Sequence, residues 1–198
     1  MFFVLLFAMM AGCGDRDNQK KPPSPNTGSE AVKTDKAEWS AGEYEEKGME
    51  YAMAVQRVLG KTLQEKIQDA IVFCKDEALP ITDSLARERG VRISRITDKP
   101  RNPVNLAGAE EMKFISNFRA ELSGGQTPEP LVVRQGEHTN FYYPILTNNM
   151  CLKCHGTPGD DIRPNVLSTL EELYAEDLAT GYSVNELRGL WKVSFTED

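Results

Sequence analysis

One pentapeptide in this 198-residue chain concentrates chemistry: Cys151-Leu152-Lys153-Cys154-His155. Two thiols separated by two residues can add to the two vinyl groups on one edge of a porphyrin. The next residue then falls beneath the ring, where an imidazole reaches the iron. C-x-x-C-H is therefore the attachment signature of c-type haem. It assigns Cys151 and Cys154 to the covalent links of one haem c and His155 to the proximal axial position. Three other chemistries share these residues. A thioredoxin-like pair would follow a strand, usually with Trp before the first Cys, whereas Met150 stands here. A structural zinc would take Cys151 and Cys154 plus two further ligands, which Cys74 and His138 or His155 could supply. A Cys151–Cys154 disulfide would close a very small loop.

The chain has four cysteines and two histidines. If Cys151 and Cys154 bind porphyrin, Cys74 has two readings. It is a small buried hydrophobe, or a thiolate sixth ligand to the iron, a place more often taken by His or Met. His138 is the alternative sixth ligand, but Gly136-Glu137-His138-Thr139 reads as a solvated hairpin turn. Arg95 and Arg101 are candidates to grip haem propionates with paired hydrogen bonds, with ordinary surface ion pairs as the competing reading. Apart from the haem ligands no acid–base dyad or nucleophile is evident, so an enzyme is not expected.

These residues need elements to position them. Apolar residues recur at Val55, Leu59, Leu63, Ile67, Ala70, Ile71, Cys74 and Ala78, so Tyr44–Leu79 reads as one long helix, interrupted at Pro80. A second helical piece, Ile81–Arg89, stops at Gly90. Val91–Thr97 alternates as a strand, Asp98–Asn105 is a loop, and Ala107–Leu122 is helical. Leu131–Arg134 and Asn140–Ile145 form a hairpin, and Leu190–Phe195 is a final strand. Helices first and antiparallel strands later is an α+β pattern.

Ahead of this domain, Met1–Met10 is an apolar run too short to span a bilayer but of the length of a signal-peptide core. It ends in Ala11-Gly12-Cys13, which resembles a lipoprotein cleavage site. Residues 1–12 then form a signal, and lipidated Cys13 is the membrane anchor. Residues 13–43, rich in charge, Pro, Ser and Gly, form a flexible tether, and 44–198 form the domain. The expected location is extracytoplasmic, and c-type haem is assembled outside the cytoplasm. With 23 Lys+Arg against 30 Asp+Glu the net charge is -7, and no basic stripe is present, which disfavours a nucleic-acid partner.

Several blocks together resemble one family. They are Ala70-Ile71-Val72-Phe73-Cys74, Arg95, Arg101-Asn102-Pro103-Val104-Asn105, Tyr143-Pro144-Ile145 with the Cys151–Gly156 segment, Ala179-Thr180-Gly181-Tyr182, and Leu187-Arg188-Gly189. In this order they resemble the single-haem "c-type haem family protein" domain. The resemblance covers about Tyr44 to Phe195. It departs at Arg95-Ile96-Thr97, where the family often reads R-T-S, and at Asn185-Glu186, where it usually has Gly-Asp. The resemblance implies a PAS-like antiparallel sheet with a long N-terminal helix and flanking helices. It also implies a covalent haem with a His/Cys axial pair, His155 and Cys74. The function it implies is a redox- or gas-responsive haem module working on a separate redox or signalling protein. The alternative is a monohaem electron carrier in a respiratory or extracellular chain.

Overall fold

The computed structural model describes residues 39–65 and 69–196. The expected signal, Cys13 and the tether as far as Glu38 lie outside them.

The domain begins earlier than its apolar periodicity suggests. Helix α1 (Ala41–Glu65) opens on a reciprocal cap: the Glu43 backbone N–H donates to Ser40 Oγ at 3.3 Å, and Ser40 N–H donates to Glu43 Oε2 at 2.7 Å. Trp39 before the cap packs on Tyr44, ring centroids 5.4 Å apart, which fixes the entry of the chain.

Four strands, β1 (Val91–Ile96), β2 (Leu131–Gln135), β3 (His138–Leu146) and β4 (Leu187–Thr196), form an antiparallel sheet in the order β1-β4-β3-β2. Ile93, Val193, Phe141 and Val132 lie opposite one another across it. Because side chains alternate along a strand, that row faces one way and its neighbour, Ser94, Lys192, Tyr142 and Leu131, the other. The first face packs on α1 through Ala52, Val55 and Leu59. The second, with Ile96, Tyr142 and Leu190, packs on Ile115 and Phe118 of a later helix, Ala109–Ser123. α1 crosses the sheet closely at Gly48, where an added Cβ would sit 2.3 Å from the Phe141 ring.

The single helix expected over Tyr44–Leu79 is divided. α1 is described as far as Glu65, Asp69 stands in a turn, α2 covers Ala70–Asp76, and after Glu77 α3 covers Ala78–Glu88. Val55, Leu59, Phe73 and Ala78 all face one core, so the apolar period runs on across the breaks. Pro80 does not interrupt a helix. It lies in the first turn of α3, where no intrahelical N–H is needed. In chain order the Ala109–Ser123 helix is α4, Asn149–His155 is α5 and Pro164–Leu173 is α6. Neither α5 nor α6 is evident from the sequence pattern. A small cluster of Ile71, Ile162 and Leu170 docks α2 on α6.

Candidate functional site

The Cys151–His155 pentapeptide forms most of α5. Asn148 caps it, accepting from Met150 N–H at 2.9 Å and Cys151 N–H at 3.2 Å. Gly156 ends it in a space with no room for a side chain, since a Cβ there would meet Asp161 Cβ at 2.5 Å. In a helix, positions three and four apart share a face, so Cys151, Cys154 and His155 lie together. No disulfide joins Cys74, Cys151 or Cys154 among the described residues.

The His155 ring is held by a later segment of the chain. Its Nδ1 lies 2.7 Å from the Ala179 carbonyl oxygen. A carbonyl only accepts, so Nδ1 carries the proton and Nε2 keeps its lone pair. Burial, then the charges of Arg101 and Arg188, hold the pKa of His155 well below the ordinary imidazole value, and the bond to Ala179 opposes them. The ring is thus neutral, as a metal ligand must be. The segment that carries Ala179 runs along the end of α5: Gly181 N–H donates to the Gly156 carbonyl at 2.8 Å and Tyr182 N–H to that of His155 at 3.0 Å. The Tyr182 ring stands edge-on to the imidazole, centroids 6.4 Å apart.

Cys151 and His155 line a cavity of about 260 Å³ together with Gln56, Leu59 and Leu63 of α1, Ile145, Arg95, Arg188 and Trp191. Arg95 lies over the Trp191 ring at 5.7 Å. Arg188 Nη1 donates to Thr97 Oγ1 at 3.1 Å and to the Lys99 carbonyl at 3.3 Å. Among the described residues neither guanidinium has a carboxylate partner, and burial lowers the pKa of both. Arg188 owes its place to a β-bulge: Ile145 pairs with Gly189 and Leu146 with Leu187, so Arg188 is the extra residue. Beside it, Gly189 allows β4 to approach β1, since a Cβ there would lie 2.4 Å from the Ile96 carbonyl oxygen.

Arg101, the other arginine singled out in the sequence, is otherwise committed. Its Nε donates to Asp177 Oδ2 at 2.9 Å and its Nη2 to the Cys154 carbonyl at 2.5 Å. It is a strut of the protein rather than a free grip for an anion. Cys74 on α2 is half-buried and within electrostatic reach of Arg95, Cys154 and Arg101. Burial raises its thiol pKa, and Arg95 leads the opposing pull. α2 therefore brings Cys74 to the α5 side of the domain.

His138 goes elsewhere. It is not in the turn but opens β3, opposite Gln135 and Thr196. At about 3.3 Å per residue, the eight steps to Leu146 put it roughly 26 Å from the end of β3 that meets the site. As for zinc, no three His, Cys, Asp or Glu side chains converge to hold a bare ion among the described residues. The sequence reading missed Arg188 and Asp177 as functional residues, although Leu187-Arg188-Gly189 carried a signal. It also missed Ala179, whose role belongs to its backbone.

Fold and site together define a class: an α+β, PAS-like domain with a C-x-x-C-H helix against one end of its sheet. A family model described as Tll0287-like matches residues 34–196, and the chain belongs to that family. Among solved structures it is similar to the cyanobacterial heme-protein Tll0287, with 19% identity and a TM-score of 0.56, over 81% of this chain and 98% of that one. At that identity the likeness speaks for the fold. None of the curated proteins matches this chain.

Proposed function

We propose that this chain is an exported, lipid-anchored monohaem protein that acts as a redox- or gas-responsive module. In this reading Cys151 and Cys154 hold the haem covalently, His155 and Cys74 are its axial ligands, and Cys13 carries the lipid. The observation that carries it is the pinned imidazole. His155 gives its Nδ1 proton to Ala179 and keeps Nε2 free, beside two thiols on one helix face and two arginines without carboxylates. The description of the cyanobacterial relative as a heme-protein supports the same cofactor here. Two guanidiniums suit the two propionates of a haem, because each can bond a carboxylate with two hydrogen bonds.

When bound, a haem supplies a one-electron couple. The protein's own part is to orient His155, to seat two carboxylates on Arg95 and Arg188, and to keep water off the site with Leu59, Leu63, Ile145 and Trp191. Cys74 as a thiolate would donate strongly and favour the oxidised state. It is also the ligand suited to change its hold, because its helix lacks the side-chain cap that Asn148 gives α5. A shift of α2 would pass through Ile71 to α6 and so offer a partner protein a changed surface.

Ferric and ferrous absorption spectra of the matured chain test this reading. A module of this kind changes its axial ligand set on reduction and then admits CO. A ligand set that is the same in both states would contradict it and mark an electron carrier. For the anchor, Cys13→Ala is expected to move the protein from the membrane fraction to the soluble one; retention in membranes would refute lipidation.

A further inference from the structure

The Ala179 carbonyl oxygen serves two donors. His155 Nδ1 is 2.7 Å away, and Arg101 Nη2 is 3.4 Å away while bonding the Cys154 carbonyl more closely, at 2.5 Å. One carboxylate governs both sides of this competition. Asp177 Oδ2 holds Arg101 Nε at 2.9 Å, and Asp177 Oδ1 accepts from the Ala179 N–H at 2.8 Å. The pair is little screened, since the two side chains are only 12% and 11% exposed, and Ala179 is fully buried.

We propose that Asp177 and Arg101 are positioning residues that meter the hydrogen bond from His155 to Ala179, and through it the donor strength of His155 as an axial ligand. The inference rests on the haem reading above. A ligating imidazole becomes more basic as its second nitrogen gives its proton more fully to an acceptor. A guanidinium drawing on the same oxygen weakens that acceptor. Asp177 restrains Arg101 and so leaves the carbonyl mainly to His155.

The two partners should therefore have opposite effects. Arg101→Gln leaves the carbonyl to His155 alone, strengthens the donor and lowers the reduction midpoint. Asp177→Asn releases the guanidinium onto the carbonyl and raises the midpoint. A pair that merely clamped the 177–182 segment to α5 would disturb both variants in one direction.

The test uses the full, haem-loaded chain. It combines redox titration with NMR measurement of the exchange of the His155 Nδ1 proton with solvent. The midpoint is expected to fall and exchange to slow in Arg101→Gln, and the midpoint to rise and exchange to quicken in Asp177→Asn. If Arg101→Gln fails to fold, Arg101→Lys, which keeps the charge but loses the fork, is expected to shift both readouts in the same direction by less. Shifts of the same sign, no shifts, or midpoint changes with unaltered proton exchange would each overturn the proposal. A wild-type chain without covalent haem would instead sink the haem reading itself.

Discussion

His155 and Cys74 approach the candidate site from two differently built regions. The His155 side is tied down at the backbone and the side chain. α5 is capped at Asn148, Gly156 is packed against Asp161, and the imidazole is bonded to a carbonyl whose own segment bonds back to α5. On the Cys74 side, α2 has no side-chain cap and is seated by apolar contacts, Phe73 in the main core and Ile71 in the small cluster against α6. Directional hydrogen bonds specify one geometry, whereas apolar contact is non-directional and tolerates a shift more readily. If both residues ligate the haem as proposed, the contrast makes His155 the fixed reference and Cys74 the side that responds.

The most severe way to break this picture is to remove the attachment. Cys151→Ser with Cys154→Ser is expected to abolish haem that survives denaturation, read by haem staining of a denaturing gel. Stain retained on the chain would place the links elsewhere.

Cys74→Ser should separate the two sides. Covalent haem is expected to remain while the ferric spectrum loses its low-spin thiolate signature. A spectrum identical to wild type would mean another group fills the sixth position.

On the rigid side, Gly156→Ala drives a methyl against Asp161 and the Leu152 carbonyl. Overpacking of this kind costs about 1–3 kcal/mol, so the thermal midpoint should drop by several degrees. An unchanged melt would show that the end of α5 yields easily.

The smallest effect is a control on the opposite face of the sheet. Glu111 is held below the ordinary carboxylate value of 4.5: burial pushes it up, but the bond from Lys192 Nζ at 2.7 Å and the Gly108 N–H prevail. A carboxyl with a lowered folded pKa stabilises the fold above its unfolded value, and that contribution is lost as pH falls through the folded value. Glu111→Gln should flatten the acid limb of stability below about pH 4.5, by less than about 1 kcal/mol. The haem spectrum should not change; a changed one would couple this face to the site.

Legibility in the sequence followed the range of the forces involved. Strands with alternating apolar residues, such as Val91–Ile96, were readable because each satisfies a local period. The CLKCH motif was readable because its chemistry lies within five residues. The division of the N-terminal helix was hidden, since α1, α2 and α3 share one core and one apolar phase. The Ser40–Glu43 cap flanked by Trp39 and Tyr44 was a local signal of the true start that periodicity alone passes over. Asn185 has φ +64°. Asn is one of the few side chains that tolerate this left-handed conformation. The contacts that hold His155 and Arg101 were not legible: Arg101 meets Asp177 across 76 residues, and His155 meets Ala179 across 24. Only the folded chain shows that Arg101 is engaged and Arg188 available.

The most direct measurement is the pyridine haemochrome spectrum of the full chain, purified from a host that assembles c-type haem, before and after acid–acetone extraction. The account predicts one haem per chain, with the shifted bands of thioether-linked porphyrin, still attached after extraction. A well-folded chain that is colourless, or that gives up its colour to the solvent, would contradict it.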